Sequence, residues 1–594
     1  MNIFKDRFSE IKKASEPLYK SPKSVQETIE ILKISESGIF EVADGKYSKT
    51  YRFSDVNYAT RSEDEQESFF QRYCRCLNSF DCTFKITVNN KNKDMDVLRN
   101  EVMLKYRNDG FDKMRESYNR IIEEKILEGR QGIEQERYLT ITIERKNFEE
   151  AKAQFATIEA SMFRSFAELG SKLIPLTGNE RLKILHDYYR LGREDEFNFD
   201  IRQGRITGTD FRNEICNTRI KYHPDYFEDE GKVGRVLFIK KYPTYLSDRF
   251  FTELTFLPVH SVTSVDVVPV PKDLTMKMLQ KKYLGIESDI IKQQRTRNRN
   301  NDFSSDISYA TRQKKKDIEE IMNNVRENDE SLYYVSVTMI VMADDRDELE
   351  SICETVDSIA KGAGCAVDTC MYKQREAVNT TLPIGVRQIE TMRTMLTQSL
   401  AVLMPFNVQE LCDRNGIYYG VNQISKNIIV GNRKKLLNGN GFIFGVSGAG
   451  KSFQAKMEMG SVLLSTDDNV IAVDPMNEYE DVTEKYNGTY INISTNTRNY
   501  INPMDMDVWN LDVLDSKGWV RDKCQFMLSI CEQIMKEITP QQRSIISRCV
   551  KDLYMDIARS REKYVPTMED LYNRLLEQED KEARDVALGL EIFV

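Results

Sequence analysis

One short segment constrains the fold of this 594-residue chain more than any other: Gly445-Val446-Ser447-Gly448-Ala449-Gly450-Lys451-Ser452. It fits the phosphate-binding pattern G-x-x-x-x-G-K-[ST], in which the backbone curls until its N–H groups face a phosphate. A Cβ would obstruct that curl, so the geometry requires the glycines. The apolar run Phe442 to Phe444 predicts a strand before the loop, and residues Phe453 to Leu464 predict a helix after it. The chain is therefore predicted to bind a nucleoside triphosphate at a strand–loop–helix unit.

The positions of this loop have predicted roles in holding ATP and Mg²⁺. Lys451 is expected to place its positive charge on the β- and γ-phosphates, which makes it a candidate catalytic residue. Ser452 is expected to offer its hydroxyl to Mg²⁺, while the positive end of the helix faces the phosphates. All residues from Gly445 to Phe453 are together predicted to bind the cofactor.

A second candidate follows the predicted helix, where the apolar run Val470 to Val473 ends in Asp474. The spacing from Lys451, about 23 residues, suffices for one helix and a turn, so this run is predicted to be the next strand of a βαβ unit. A right-handed crossover would place Asp474 at the carboxyl end of that strand, as a Mg²⁺ ligand acting through water. Glu478 is predicted to reach the phosphate region as a catalytic carboxylate. The alternative is that Asp474 and Pro475 only stabilise a turn at the strand end.

The rest of the chain is predicted to be helical, over residues 517–536, 541–559 and 568–577. Between Tyr479 and Val594 no apolar run ends in the Asp-Glu pair of a Walker B strand with its catalytic glutamate. The last residues, Ile592-Phe593-Val594, are apolar and carry no polar cap. We therefore expect the chain to be cut within a domain.

Upstream of the loop, strands and helices alternate from Ile29 to Leu169, a pattern typical of an α+β platform. The same order recurs from Val236 to Ala363, so two related lobes are predicted. The predicted domains are a first lobe at 1–200, a second lobe at 201–385, a P-loop core at 386–505 and a helical segment at 506–594.

The charge of the chain argues against an overall electrostatic contact with nucleic acid or lipid, because the net charge is −9. One local stretch within a helical arm at about 275–330 is basic all the same, with cations from Lys281 to Lys316. It fits either a patch for nucleic acid or lipid headgroups, or a solvated helical arm. The solvated arm is favoured, because aromatic residues for base stacking do not alternate with its cations.

Other features bear on the compartment. No run of about 18 apolar residues predicts a membrane span, and the N-terminus lacks the apolar core of a signal peptide. The eleven cysteines lack metal-site spacing and only three histidines occur, so reduced structural thiols in a cytoplasm are expected.

Several stretches in the last third resemble one family: Met404-Pro405-Phe406, Gly416 to Asn422, Asn438 to Phe453, Asp474 to Tyr479, Asn502-Pro503-Met504 and Pro566 to Tyr572. The resemblance is to the large conjugal-transfer ATPases of type IV secretion systems, of the CagE, TrbE and VirB kind found in Gram-positive mobile elements. It implies an α/β fold class, in which an N-terminal α+β platform precedes an incomplete RecA-like P-loop domain with an all-α insertion.

The resemblance also implies inner-membrane channel components as docking partners and self-association into a hexamer. The expected location is cytoplasmic and peripheral on the inner face of the plasma membrane. DNA contact is possible for such a motor. Family members continue to a Walker B pair, a sensor glutamine and an arginine finger, which this sequence lacks, so nucleotide binding carries over more directly than hydrolysis.

Three functions therefore remain open from the sequence. The first is an ATPase that energises channel assembly or transfer of DNA or protein. The second is a nucleotide-binding scaffold without catalysis, and the third is a hexameric DNA translocase of the packaging or segregation kind.

Overall fold

A computed structural model describes residues 22–92, 102–128, 133–243, 245–299, 309–327, 329–413, 415–424, 427–494, 497, 499–509 and 518–594. The chain divides into two compact units, residues 1–472 and 473–594. The fold class is mixed α/β, and most of the first unit is built around a 13-stranded sheet. None of the helices in these described ranges combines the length and hydrophobicity needed to cross a bilayer.

The sheet contains strands from both predicted lobes. Its order is β1-β2-β3-β5-β4-β10-β11-β9-β8-β7, with β6 beside β3, β12 beside β9 and β13 beside β11. The contact between β4 and β10 runs antiparallel from Phe84 opposite Val267 to Asn90 opposite Ser261, so the two lobes share one continuous sheet. The strands are β1 (Lys33–Ile34), β2 (Ile39–Ala43), β3 (Lys46–Phe53), β4 (Thr83–Asn92), β5 (Ile133–Glu144), β6 (Leu173–Pro175), β7 (Ile220–Tyr222), β8 (Phe227–Asp229), β9 (Lys232–Lys241), β10 (Ser261–Val270), β11 (Leu332–Ala343), β12 (Ala366–Thr369) and β13 (Arg393–Leu396).

Helices of the first unit pack on this sheet or extend from it. They are α1 (Glu63–Asn78), α2 (Asp112–Glu128), α3 (Phe148–Leu169), α4 (Gly178–Tyr189), α5 (Ile201–Thr207), α6 (Arg212–Ile215), α7 (Arg249–Thr255), α8 (Lys272–Arg299), α9 (Tyr309–Glu327), α10 (Arg346–Gly362), α11 (Gln374–Thr381), α12 (Thr397–Ala401) and α13 (Lys451–Ser465). A separate antiparallel hairpin consists of β14 (Ile417–Val421) and β15 (Ile428–Gly431).

One face of the sheet is apolar and forms the main core. Along β4, the alternation that defines a strand turns Phe84, Ile86 and Val88 to this face. Helices α1, α3, α7 and α10 cover it with residues such as Phe69 and Phe155. The connector before the predicted P-loop domain also contributes, since Leu400, Leu403, Met404 and Phe406 lie in the same core.

The opposite face is polar at its centre, and residues 382–387 (the strap) cross it. Side chains from the strands donate hydrogen bonds to strap carbonyls, as Ser48 Oγ does to Ile384 O at 2.6 Å. Thr142 Oγ1 donates to Gly385 O at 3.1 Å, and Lys85 Nζ donates to Val386 O at 3.1 Å. Buried polar groups are costly without partners, so these bonds make a polar sheet face compatible with burial.

Arg181 on α4 is a second buried cation of this network, beside Lys85. Its guanidinium donates to the carbonyls of Gly38 and Ser48 at 2.9 Å, and to strap carbonyls of Pro383 and Ile384 at 3.3 Å. It also lies 3.9 Å from the centroid of the Phe40 ring. Burial lowers the pKa of Arg181 to about 9, and burial likewise lowers the pKa of Lys85 to about 8.

The second unit is helical where its secondary structure is described. Its helices are α14 (Glu480–Lys485), α15 (Trp519–Met535), α16 (Pro540–Arg559), α17 (Met568–Leu576) and α18 (Lys581–Leu590). The sequence offers Thr539 and Thr567 as N-cap residues, and both cap their helices, α16 and α17, through capping boxes. Buried residues of α15 to α18, among them Met527 and Ile546, form a separate core.

The limits of helices and strands were predicted most accurately where the hydrophobic pattern extends over many residues. The sequence predicts a helix from Phe148 to Leu169 and a strand from Ser261 to Val270, and helix α3 and strand β10 have these limits. Helices α15 to α17 match their predicted limits within two residues. The charged segment from about Met95 to Glu128 predicts one long helix, and this prediction is too long, because helix α2 begins only at Asp112. Residues 93–101 of that segment lie outside the described ranges. The predicted domain limits stay predictions.

Candidate nucleotide-binding site

The predicted phosphate loop forms a turn that leads directly into α13. Gly448 and Gly450 have φ values of +80° and +90°, in the left-handed region that favours glycine. A Cβ added to either residue would meet no atom within 4 Å, so open space surrounds the curl. Helix α13 then begins at Lys451 and runs for 15 residues. An exposed helix N-terminus behind a glycine turn fits an anionic phosphate group.

Lys451 is held on the loop itself. Its Nζ donates hydrogen bonds to the carbonyls of Gly445 at 2.9 Å and Val446 at 3.0 Å. Ser452 follows as the second helical residue, and Phe453 is exposed. The ammonium group therefore lies beside the loop whose backbone would surround a phosphate, as the motif predicts.

The other end of α13 is held by two arginines near the start of α2, another helix of the first unit. Arg115, whose side chain is fully buried, donates Nε–H to Leu464 O at 3.1 Å and pairs with Asp109 and Asp112 at 2.6 and 2.8 Å. Arg107 donates to Ser465 O at 2.7 Å. Cations at a helix C-terminus satisfy its last carbonyls and match its dipole.

The hairpin β14–β15 supports the side of α13. Glu458 of the helix accepts a hydrogen bond from Tyr419 Oη at 3.0 Å and pairs with Arg433 at 2.9 Å. Arg433 also borders Gly441, where an added Cβ would come within 3.0 to 3.1 Å of the guanidinium. This arginine therefore joins the segment before the phosphate loop to the helix after it.

Asp474 and Glu478 belong to the second unit. The Asp474 carboxylate accepts backbone N–H bonds from Met476 at 3.2 Å, Glu478 at 2.7 Å and Tyr479 at 2.9 Å. Partial desolvation raises its pKa, but these backbone bonds outweigh it and hold the pKa below the usual value. Asp474 thus stabilises a turn, which is the alternative that the sequence left open. Glu478 is exposed on the same turn, and the roles of both in catalysis stay predictions.

The two strands predicted to flank α13 are not formed. Residues 442–444 and 469–474 pair with no strand among the described residues. Their apolar side chains are exposed instead, at 84% for Phe442, 87% for Phe444, and 93% for Ile471 and Val473. A strand needs a neighbour for its N–H and C=O groups, so apolar runs of this kind do not form strands alone.

Sequence reasoning missed the residues that hold α13. Arg115 could have been noticed, because Asp109, Asp112 and Arg115 are spaced by three positions, as a helix start with an ion pair would be. Its contact with Leu464 spans 349 positions and has no local signal. Arg433 and Glu458 likewise come together only through the tertiary fold.

Comparison with known proteins addresses the same region. No curated protein matches the sequence. Residues 413–586 match the family model described as the TraG P-loop domain, a stretch that includes the phosphate loop, Asp474, Glu478 and helices α15 to α17. A P-loop domain implies nucleotide binding, generally with Mg²⁺. The match supports a conjugation-associated P-loop NTPase.

Proposed function

We propose that this chain is an ATP-binding motor subunit of a type IV secretion or conjugation system. It would energise channel assembly, or the transfer of DNA or protein, by ATP hydrolysis. The observation that carries the proposal is the phosphate loop, with its left-handed glycines and with Lys451 at the start of α13, inside the stretch that matches the TraG P-loop domain.

The residues of the loop divide the work of holding a nucleotide. The backbone N–H groups from Gly448 to Lys451 and the helix N-terminus would bind phosphate oxygens. The Lys451 ammonium would turn from its own loop carbonyls to the β- and γ-phosphates. Ser452 would orient Mg²⁺, which supplies charge neutralisation at the phosphates. Asp474 would act on the metal through water, and Glu478 would act at the phosphate region.

The proposal extends to location and partners. Inner-membrane components of a secretion channel would bind the α+β platform formed by the 13-stranded sheet and its helices. Copies of the chain would assemble into a hexamer. The chain would work at the inner face of the plasma membrane. These statements rest on the resemblance of the sequence motifs.

A binding experiment tests the nucleotide site. Replacing Lys451 with Ala should weaken binding of a fluorescent ATP analogue by about 10- to 100-fold, since hydrogen bonds to a charged group contribute about 1.5–3 kcal/mol. Lys456→Ala, a lysine farther along the same helix, is the matched control and should bind as the parent does. Equal affinity for the Lys451→Ala variant and the parent would refute the assignment of the loop.

A turnover experiment separates a motor from a scaffold. A motor should release phosphate from ATP at about 1 s⁻¹ or faster, within the ordinary range of enzymes, and the Lys451→Ala variant should not. Binding without turnover would favour the scaffold. Strong stimulation by DNA would favour a DNA translocase.

A further inference from the structure

Helix α8 has two different faces. Its inner face packs against α9, where Leu279 and Val325 are buried. Lys315 of α9 pairs with Glu287 at 3.0 Å and lies 5.1 Å from the centroid of the Tyr283 ring. These contacts fix the rotation of α8 about its axis, so its outer face is defined by the packing.

The outer face combines aliphatic and basic side chains. Leu284 and Ile291, one full heptad apart, are 62% and 48% exposed, although both are large and apolar. Positions at helical spacing on the same side are also exposed. We call this set the α8 stripe: Lys277, Lys281, Leu284, Ile291, Lys292 and Arg295.

The acidic residues between Lys277 and Arg295, a segment that the structure describes throughout, are Glu287 and Asp289, and neither belongs to the stripe. Glu287 lies on the side of α8 that faces α9, where it pairs with Lys315. Asp289 lies outside the stripe and pairs with Lys292 at 3.8 Å, with both side chains mostly exposed. The exposed residues of α9 differ, because the cations Lys314 and Lys316 are interspersed with exposed acidic residues, namely Asp317, Glu319 and Glu320. No large apolar side chain is exposed on α9 from Thr311 to Glu327.

We propose that the α8 stripe docks on an anionic lipid bilayer, with the helix lying in the plane of the surface. The four cations would contact headgroups while Leu284 and Ile291 enter the boundary between headgroups and acyl chains. Nucleic acid would leave both aliphatic side chains without an apolar partner, and the stripe has no aromatic residue for base stacking. The proposal stands on the stripe alone and does not depend on nucleotide binding.

The charge of the stripe makes the lipid composition decisive. The chain as a whole carries −9, so an anionic surface repels most of it. The stripe gathers four cations along one side of a single helix, where each cation near an anionic membrane adds about fivefold to the binding constant. Binding is therefore expected to need both anionic lipid and low to moderate salt.

Vesicle sedimentation of the full chain tests the proposal. The parent should bind vesicles of phosphatidylglycerol mixed with phosphatidylcholine, and should not bind pure phosphatidylcholine. Leu284→Ser with Ile291→Ser should weaken binding roughly tenfold, as expected for losing part of the burial of two aliphatic side chains. Lys277→Gln with Lys281→Gln should weaken it by about fivefold for each charge.

Matched controls test whether position matters. Lys314→Gln with Lys316→Gln removes the same charge from α9, and Ile206→Ser removes an exposed aliphatic side chain, 86% exposed, far along the chain from the stripe. Both should change binding by less than about twofold. Circular dichroism should show unchanged helix content in every variant, since all the substituted side chains are exposed.

Three results would overturn the proposal. The first is absence of binding to anionic vesicles, and the second is equal loss in the stripe and control variants. The third is loss of single-stranded oligonucleotide binding in the Lys277→Gln, Lys281→Gln variant while vesicle binding is unchanged, which would make the stripe a nucleic-acid interface.

Discussion

The sheet and the phosphate-loop region differ in how far their side chains are buried. In and against the sheet, even charged groups such as Lys85 of β4 and Arg181 of α4 are buried and have partners. Around the loop, aromatic residues are exposed: Phe444 is 87% exposed, whereas Phe84 of β4 is 0% exposed. Both phenylalanines belong to runs that the sequence predicts to be strands, Cys82 to Val88 for Phe84 and Phe442 to Phe444 for Phe444. The difference shows that an apolar run becomes a buried strand only where neighbouring strands and a covering helix are present.

The largest expected effect comes from replacing each of these two phenylalanines by alanine in separate variants. Phe84→Ala should lower the free energy of unfolding by about 3–5 kcal/mol, because it leaves a cavity in the main core. Phe444→Ala should change it by less than about 0.5 kcal/mol, as is usual for exposed positions. Urea unfolding followed by circular dichroism of the strands measures both. Tryptophan fluorescence is unsuitable, because Trp509 and Trp519 both lie in the second unit.

A large loss of unfolding free energy in Phe444→Ala would contradict this difference between the two regions, because it would show that another surface covers this side chain in solution. Phe442→Ala is the natural companion variant, since its ring stacks on that of Phe444 at 5.7 Å. Both variants should then lose stability together.

The second expected effect concerns the buried cation beneath the strap. Arg181→Met keeps most of the apolar stem but removes the donors to four carbonyls, so the free energy of unfolding should fall by about 3 kcal/mol. Arg202→Met is the control, because Arg202 pairs with Glu36 at 3.1 Å while its side chain is 77% exposed. The control should cost about 0–1 kcal/mol. Equal stability of the two variants would mean that the strap does not depend on its donors.

Much of the sheet could be predicted from the sequence because its signals are local. Helix α3 begins after Asn147, whose side chain accepts from Glu150 N, and ends at Gly170 in the left-handed region, so both ends carry their own signals. The order of the strands carries no such signal. The strap shows why: Ser48 and Ile384, which form a hydrogen bond, are 336 positions apart.

The candidate site likewise has features that local sequence predicts and features that depend on tertiary structure. The glycine curl and Lys451 lie within eight consecutive residues, and their pattern is enough to predict the geometry. The strands beside α13 were predicted wrongly, because a run such as Phe442 to Phe444 carries information about hydrophobicity but none about which strands lie beside it. Asp474 was predictable as a turn residue, whereas its predicted role as a metal ligand would depend on tertiary structure.

The third effect uses pH to contrast two aspartates. Burial raises the pKa of Asp229 in β8 to about 7 despite a hydrogen bond from Asn217. Its folded-state pKa exceeds the ordinary value of 3.8, so its stabilising contribution is present below about pH 4 and is lost as pH rises through 7. Asp229→Asn should therefore stabilise the sheet at pH 8 by about 2 kcal/mol and have little effect near pH 4.

Hydrogen–deuterium exchange of peptides that cover β8 and β9 measures this difference locally. Asp474 should show the reverse behaviour, since its pKa is lowered and the turn it stabilises weakens as pH falls. Peptides covering 474–479 should exchange faster at low pH after correction for intrinsic rates. A gain for Asp229→Asn that is independent of pH would contradict the buried, protonated carboxyl group.

The smallest expected effect tests whether the contact of α2 with the end of α13 supports the nucleotide site at the start of α13. Arg115→Ala removes the donor to Leu464 O and the partner of Asp109, so the last turn of α13 should loosen while its first turn and the loop stay intact. The affinity for a fluorescent ATP analogue should then fall by only about three- to fivefold, or less than about 1 kcal/mol. Hydrogen exchange should increase at residues 460–466 and stay unchanged at 445–452. Arg120→Ala, on the exposed side of the same helix α2, should change neither quantity. If Arg115→Ala weakens binding as much as Lys451→Ala does, the two ends of α13 act as one rigid element. The well-packed part of the molecule would then include all of α13, and only the phosphate loop itself would belong to the open region.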